Sequence, residues 1–340
     1  MSYTLNLRYL VGKLESAAGT METLAGSDFN ARIVNPEISP IIEWDNDASK
    51  FANGNHGEDE SVAGAQSATI NFSIRLGIGD NIYSNPNWTK YFNACGIKNQ
   101  TWTTAGMEFR PLKEYDNKTM TIWVYDIVTG GASPAGICYQ FAGCMGNVTI
   151  GCDGIGKPWI ASFSFTGKCV DIVDVANASL LDGMDFDTAH PEKFLNSALT
   201  IDGVTQCVTK FQLDAGNEIS PLICQSDITG YSYYQITNRK PRFSCDPLLK
   251  AVATEDVWGG MMSGLTGTEA INVGTVSLIS NNFTLAIPKA QQIQANSANR
   301  EGIVSWDSNY RCLANGWTGA VTDSNLEPEC TWSLLVGARA

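Results

Sequence analysis

The sequence predicts a mainly β protein of two tandem β-sandwich or barrel domains, each with one flanking α-helix. Three observations carry this. Several windows alternate apolar and polar residues with a period of two. Only two windows repeat apolar residues at helical spacing, and they match each other. A hexapeptide occurs almost twice, as EISPII from Glu37 and EISPLI from Glu218.

The strands come first. In ATINFSI, the residues Ala68, Ile70, Phe72 and Ile74 share one face, and Thr69, Asn71 and Ser73 share the other. SFSF from Ser162 and NFTLAI from Asn282 alternate in the same way, and TMTIWVYDIV from Thr119 is rich in branched and aromatic strand formers. Gly, Asn and Asp clusters such as NGNHGED and TGGASPAG punctuate these runs as turns or loops.

The first helix is expected in SNPNWTKYFNACG, where Trp88, Tyr91, Phe92 and Cys95 follow i, i+3, i+4, i+7. Asn85 caps it, Pro86 opens its first turn and Gly96 stops it. The second is expected in TEDVWGGMMSGLTG, with Trp258, Met261, Met262 and Leu265 at the same spacing and Thr254 as its cap. Glu255 and Asp256 favour its positive end, while two internal glycines leave it dependent on packing.

These landmarks recur in one order. Glu37 and Glu218 stand 181 residues apart, and Trp88 and Trp258 stand 170 apart. GNVTI matches NNFTLAI when Thr149 is set on Thr284, and WIASFSF matches the later GIVSWDSNY. Such a series predicts a tandem duplication with a shortened second copy. The first domain is expected over residues 1–175, a linker over 176–196 with its junction in the polar VANASLLDGMDFDTAHPEK from Val175 to Lys193, and the second domain over 197–340. Pro40 and Pro221 are expected near the entry of corresponding strands.

Composition narrows the function. The chain has 340 residues, 44% hydrophobic and 17% charged, as a packed globular protein does. Its 35 acids against 22 lysines and arginines leave a net charge of −13, which disfavours a surface that grips nucleic-acid phosphates. No run approaches the ~18 apolar residues of a membrane span, and the opening MSYTLNLRYLVGKLES lacks the apolar core of a signal peptide. The ten cysteines are therefore expected as small, reduced, mostly buried thiols of a protein assembled in the cytoplasm.

No catalytic constellation stands out. His56 lies in an acidic turn-rich loop and His190 in the expected linker, and neither belongs to a triad. Asp45, Asp47 and Ser49 have the spacing of a calcium loop, but Lys50 replaces its glycine and His56 its bidentate acid. Cys138, Cys144 and Cys152 lack the tight pairs of zinc sites, and the glycine-rich stretches match no phosphate loop. Asp153, Asp214 and Asp307 are candidate glycosidase acids that nothing in the sequence brings together. The expectation is a protein that is not an enzyme and that has no cofactor and no metal.

With those residues in view, the chain resembles the tail tube proteins of long-tailed bacteriophages. The resemblance rests on VGKLESAAGTMETL, ARIVNPEISPI, WTKYFNACGI, GNVTIGCDGIGKPWIASFSFTGK, FTLAIPKAQ and REGIVSWDSNYRC, and it spans Val11 to Cys312. It implies a virion protein whose sheets join edge to edge into rings, the rings stacking into a hollow tube through which DNA is ejected. A tandem duplicate would close its ring with three chains, a pseudo-hexamer. Partners implied are other copies of itself and the tape measure, tail terminator and baseplate or distal tail proteins, with transient passage of DNA and no membrane. Thr69, Asn71 and Ser73 are expected to face the lumen or a polar interface, and an acidic or neutral lumen would let phosphates slide. The segment EWDNDASKFANGNHGEDES is expected to be an arm to the adjacent ring, with Asp45, Asp47, Glu58, Asp59 and Glu60 meeting its cations. The alternatives are a baseplate, hub or tail-terminator protein of the same fold, separated by copy number, and a secreted carbohydrate-binding adhesin, which would carry oxidised cysteines.

Overall fold

The structure is a computed structural model that describes residues 3–45, 61–77, 86–102, 106–111, 118–128, 135–175, 191–263, 273–280, 282–313, 315–316 and 329–337. It is mainly β, as expected.

In chain order the first half contributes β1 (Tyr3–Leu14), β2 (Ile33–Asp45), β3 (Val62–Arg75), α1 (Thr89–Ala94), β4 (Ile97–Trp102), β5 (Gly106–Pro111), β6 (Met120–Val128), β7 (Ala135–Cys152) and β8 (Ile160–Val175). The second half contributes β9 (Ala198–Ile201), β10 (Val204–Gln206), β11 (Phe211–Asp214), β12 (Asn217–Ile223), β13 (Tyr231–Arg239), β14 (Arg242–Cys245), α2 (Val257–Ser263), β15 (Val273–Ser280), β16 (Phe283–Arg300) and β17 (Ile303–Cys312). Three short strands close it: β18 (Asn315–Gly316), β19 (Glu329–Cys330) and β20 (Ser333–Val336).

Strand pairing makes the internal repeat concrete. In the first half the neighbours run β1, β6, β7, β8, β3, β2. In the second they run β9, β15, β16, β17, β14, β11. Every pairing is antiparallel, and each strand sits at the same place in both orders. The hexapeptides match as well. Asn35 and Gly216, each two residues before the shared Glu, adopt positive φ of 49° and 64°. There the chain kinks into the left-handed region that Asn and Gly tolerate best; in the second half it leaves the main sheet as the β12–β13 hairpin, whereas in the first half β2 stays paired with β3 in the main sheet.

Two details of the expected alignment change. Thr149 lies near the end of β7 and Thr284 near the start of β16, so those threonines do not correspond. Pro40 and Pro221 stand inside pairings, opposite Ala68 and Tyr234, and not at strand entries. Both strands have one ladder partner among the described residues, so a residue without an N–H costs no hydrogen bond on the open side.

The two halves share one sheet. β11 pairs with β7, and β20 joins β16 to β5. They also share one core, in which fully buried Trp159 lies 4.6 Å from the ring of Phe211 and 5.3 Å from that of Phe283. Of the expected linker, only 191–196 is described. It is docked: Glu192 N–H donates to Leu76 O, Phe194 N–H to Lys157 O, and the Phe194 ring lies 5.2 Å from Phe211.

The helices diverge. α1 buries Tyr91 and Phe92 on the sheet, and Trp88 Nε1 donates to Gly77 O at 3.0 Å. Gly96 at φ 68° ends that helix as expected. In α2 the helical spacing does not mark a buried face, since Trp258 is 57% and Met262 60% exposed. Its cap is Asp256, whose Oδ1 accepts Gly259 N–H at 2.8 Å, and not Thr254, whose N–H donates to Ala251 O.

Candidate assembly surface

One face of the main sheet is packed and the other is polar. In β3, Ile70, Phe72 and Ile74 are buried, while Thr69, Asn71 and Ser73 are half-buried on the opposite face. The alternation read from the sequence is therefore real, and cross-strand registry extends it. Thr69 stands opposite Thr166, Asn71 opposite Glu37 and Ser164, and Ser73 opposite Val34 and Ser162. The Ser73 and Ser162 hydroxyls are 3.0 Å apart.

This face does not stop at the boundary between halves. From Ser162 the row continues through Thr149, Asp214, Arg242 and Arg311 to Gln291. Beside it, Gly151, Gln212, Ser244, Asn309 and Gln294 form a second row. Eight adjacent strands, from β2 to β16, thus present hydroxyls and amides with interspersed charges of both signs. A hollow of about 500 Å³ opens on this face between Asn35, Ser73, Arg75, Thr149 and Gln212. Arginines lie on it, so it is not the uniformly acidic or neutral surface that the sequence suggested.

The joint between halves is held by more than ladder bonds. Phe211, Gln212, Leu213 and Asp214 pair with Cys152, Gly151, Ile150 and Thr149. Asn147 Nδ2 donates to Asp214 Oδ1 at 2.7 Å, and Asn147 Oδ1 accepts Asn217 N–H at 3.0 Å. Asn217 Nδ2 donates to Cys95 O at 2.8 Å and Gly146 O at 3.0 Å, and Arg239 donates to Gly96 O at 3.0 Å.

Beyond the joint, the β12–β13 hairpin lies over the first half. Tyr231, Tyr234 and Ile236 bury against Met145, with Ala65 packed beside them. Tyr231 OH donates to Glu43 at 2.6 Å, and Lys168 bonds Asp227 at 2.7 Å. Burial, then the bond to Glu43, pushes the Tyr231 hydroxyl up. Desolvation opposes ionisation of Asp227, but bonds from Lys168 and Thr229 outweigh it and hold that carboxyl below its ordinary value.

The β2–β3 hairpin meets β12–β13 through Glu43, Ala65 and Gln66, whose N–H donates to Thr229 O, but four of its apolar residues are left uncovered among the described residues. Ile41, Ile42, Trp44 and Val62 of β2–β3 are 44%, 39%, 53% and 69% exposed. Asp45, the only one of the five expected arm acids that is described, pairs with Val62 at the tip of this hairpin. Asp47, Glu58, Asp59 and Glu60 lie outside the described residues, as do His56 and His190.

Of the three candidate acids, the structure brings two together. Asp214 belongs to the joint. Asp153 and Asp307 line one hollow of about 220 Å³ together with Lys210, whose Nζ is 3.8 Å from Asp307. Among the described residues no three His, Cys, Asp or Glu side chains are grouped to hold a metal ion, and no helix is long and apolar enough to cross a membrane. The nine cysteines whose side chains are described are free, and six are buried. Burial pushes the Cys95 and Cys144 thiols well up, and that of Cys138 to about 11. No local pattern signals the Asn147, Asp214 and Asn217 cluster, because only the β7–β11 pairing assembles it.

No model of a known protein family matches the chain, and no curated protein is significantly similar to it in sequence.

Proposed function

We propose that this chain is a structural subunit that associates edge to edge into rings, and that stacked rings form the hollow tail tube of a bacteriophage virion. In this reading three chains, each supplying two copies of one pairing order, surround the channel as six modules. The observation that carries the reading is the joint itself: two like halves unite through β7 and β11 into one sheet with a continuous polar face. A ring needs such a joint to repeat between chains, and ring closure satisfies strand edges that otherwise invite uncontrolled pairing.

The polar face suits a lumen. Hydroxyls and amides hydrate well, whereas each cation that engages a phosphate adds a counterion-releasing contact. Asp214 stands beside Arg242, and Glu37 and Asp307 lie on the same face, so acids offset part of the charge of Arg75 and of the neighbouring pair Arg242 and Arg311. The remaining partners would be the tape measure, terminator and baseplate proteins, with DNA passing and not held. Negative-stain microscopy of the purified chain tests the reading: rings or tubes with an open centre are expected, and compact single particles at every concentration would refute it.

A further inference from the structure

We propose that β2 of one copy adds to β16 of the next in the register of the internal β7–β11 joint, with Ile33 opposite Gln292 and Arg32 opposite Gln294. This deepens the ring reading and rests on it.

The register follows from two corresponding rows. Ile33, Ile74, Ala161 and Ile150 lie side by side on β2, β3, β8 and β7. Leu213, Phe243, Tyr310 and Gln292 do so on β11, β14, β17 and β16. Leu213 therefore corresponds to Ile33, and Ile150 to Gln292. Inside the chain Leu213 pairs with Ile150, and Gln212 with Gly151. The same step across two copies pairs Ile33 with Gln292, and Arg32 with Gln294, because Gln294 shares with Asn309 the place of Gly151 with Ile160.

Both edges are open where this requires it. Among the described residues β2 has β3 as its only ladder partner, and β16 from Gln292 onward has only β17. The polar latch itself is not repeated, since the row of Thr149 and Gln291 sets Asn147 in correspondence with Lys289, and the shared hexapeptide sets Asn217 in correspondence with Pro36. The hairpin completes the match. β12–β13 covers the first half with Tyr231, Tyr234 and Ile236, and the corresponding β2–β3 hairpin, which meets β12–β13 through Glu43 and Ala65, leaves Ile41, Ile42, Trp44 and Val62 exposed for a second copy.

Arg32→Cys with Gln294→Cys in the full chain tests the register. The two positions lie seven strands apart within one sheet, about 34 Å at ordinary strand spacing, so a disulfide between them joins different chains. Mild oxidation should give covalent multimers whose peptide mass spectra link positions 32 and 294, and the Arg32→Cys/Ser297→Cys pair should not. Amides 31–34 and 292–296 of the unaltered chain should exchange more slowly after assembly. Rings without the 32–294 link and without that protection would overturn this register while leaving the ring standing. A folded chain that forms no oligomer at all would overturn both.

Discussion

Glu15 offers the sharpest test of how the first half is held. Its side chain is 5% exposed and takes four hydrogen bonds. Oε2 accepts Gly19 N–H at 2.7 Å and the Thr119 hydroxyl at 2.5 Å; Oε1 accepts the Thr121 hydroxyl at 3.0 Å and Gly143 N–H at 2.7 Å. All four neighbours donate, and a carboxylate only accepts, so the match is complete. Glu15→Gln keeps the shape and breaks the match. Whichever way the amide is turned, its NH₂ faces one backbone N–H, of Gly19 or of Gly143, which cannot rotate away. One charge-assisted bond of about 1.5–3 kcal/mol is lost, and the bonds that survive fall to the neutral range of about 0.5–1.5 kcal/mol each. The expected loss is about 3–5 kcal/mol, read as a lower urea midpoint at unchanged slope. A loss under about 1 kcal/mol would show that the carboxylate is not the knot described here.

Asn217→Ala removes two donations across the joint and should cost about 1–3 kcal/mol in the same assay; no change would mean that the ladder alone holds the halves together. Trp159→Ala, at the aromatic contact shared by both halves, should cost about 3–5 kcal/mol by urea unfolding. Thiol labelling of the native chain should reach exposed Cys207 first, together with Cys224, whose bond from Ser226 lowers its thiol, and should reach Cys95 and Cys144 only on unfolding. Burial holds Lys90 at about 8 against an ordinary 10.5. The unfolded chain therefore binds more protons between those values, and this destabilising contribution is full below pH 8 and fades as pH rises to 10.5. The stability of the parent chain relative to Lys90→Met should rise by about 3 kcal/mol across that window, and parallel pH curves for the two proteins would contradict the assignment.

The sequence disclosed the parts of the fold that depend on local pattern. Ile70, Phe72 and Ile74 alternate with Thr69, Asn71 and Ser73 because one sheet face is buried and the other is not, and that difference is written residue by residue. The paired hexapeptides mark corresponding kinks, and Asn35 and Gly216 share left-handed geometry two residues before the common Glu. Long-range partners were not legible. Trp258 has the helical spacing of Trp88, but spacing does not reveal whether a second surface covers the face. Thr149 and Thr284 look alike in short windows, and only registry shows that they stand at opposite ends of their strands. Asn147 and Asn217 lie 70 residues apart, and neither signals the other until β7 meets β11. The arm fell largely outside the described residues; of its five named acids only Asp45 is described, at the tip of the β2–β3 hairpin, and the preceding Glu43 accepts the Tyr231 hydroxyl of the same chain.

End-on electron-microscopy averages of the assembled protein address the central claim most directly. A ring of six lobes around an open channel, alternating between two kinds so that the true symmetry is threefold, is the predicted image. Particles without a central opening, or rings whose symmetry is not a multiple of three, would contradict the account.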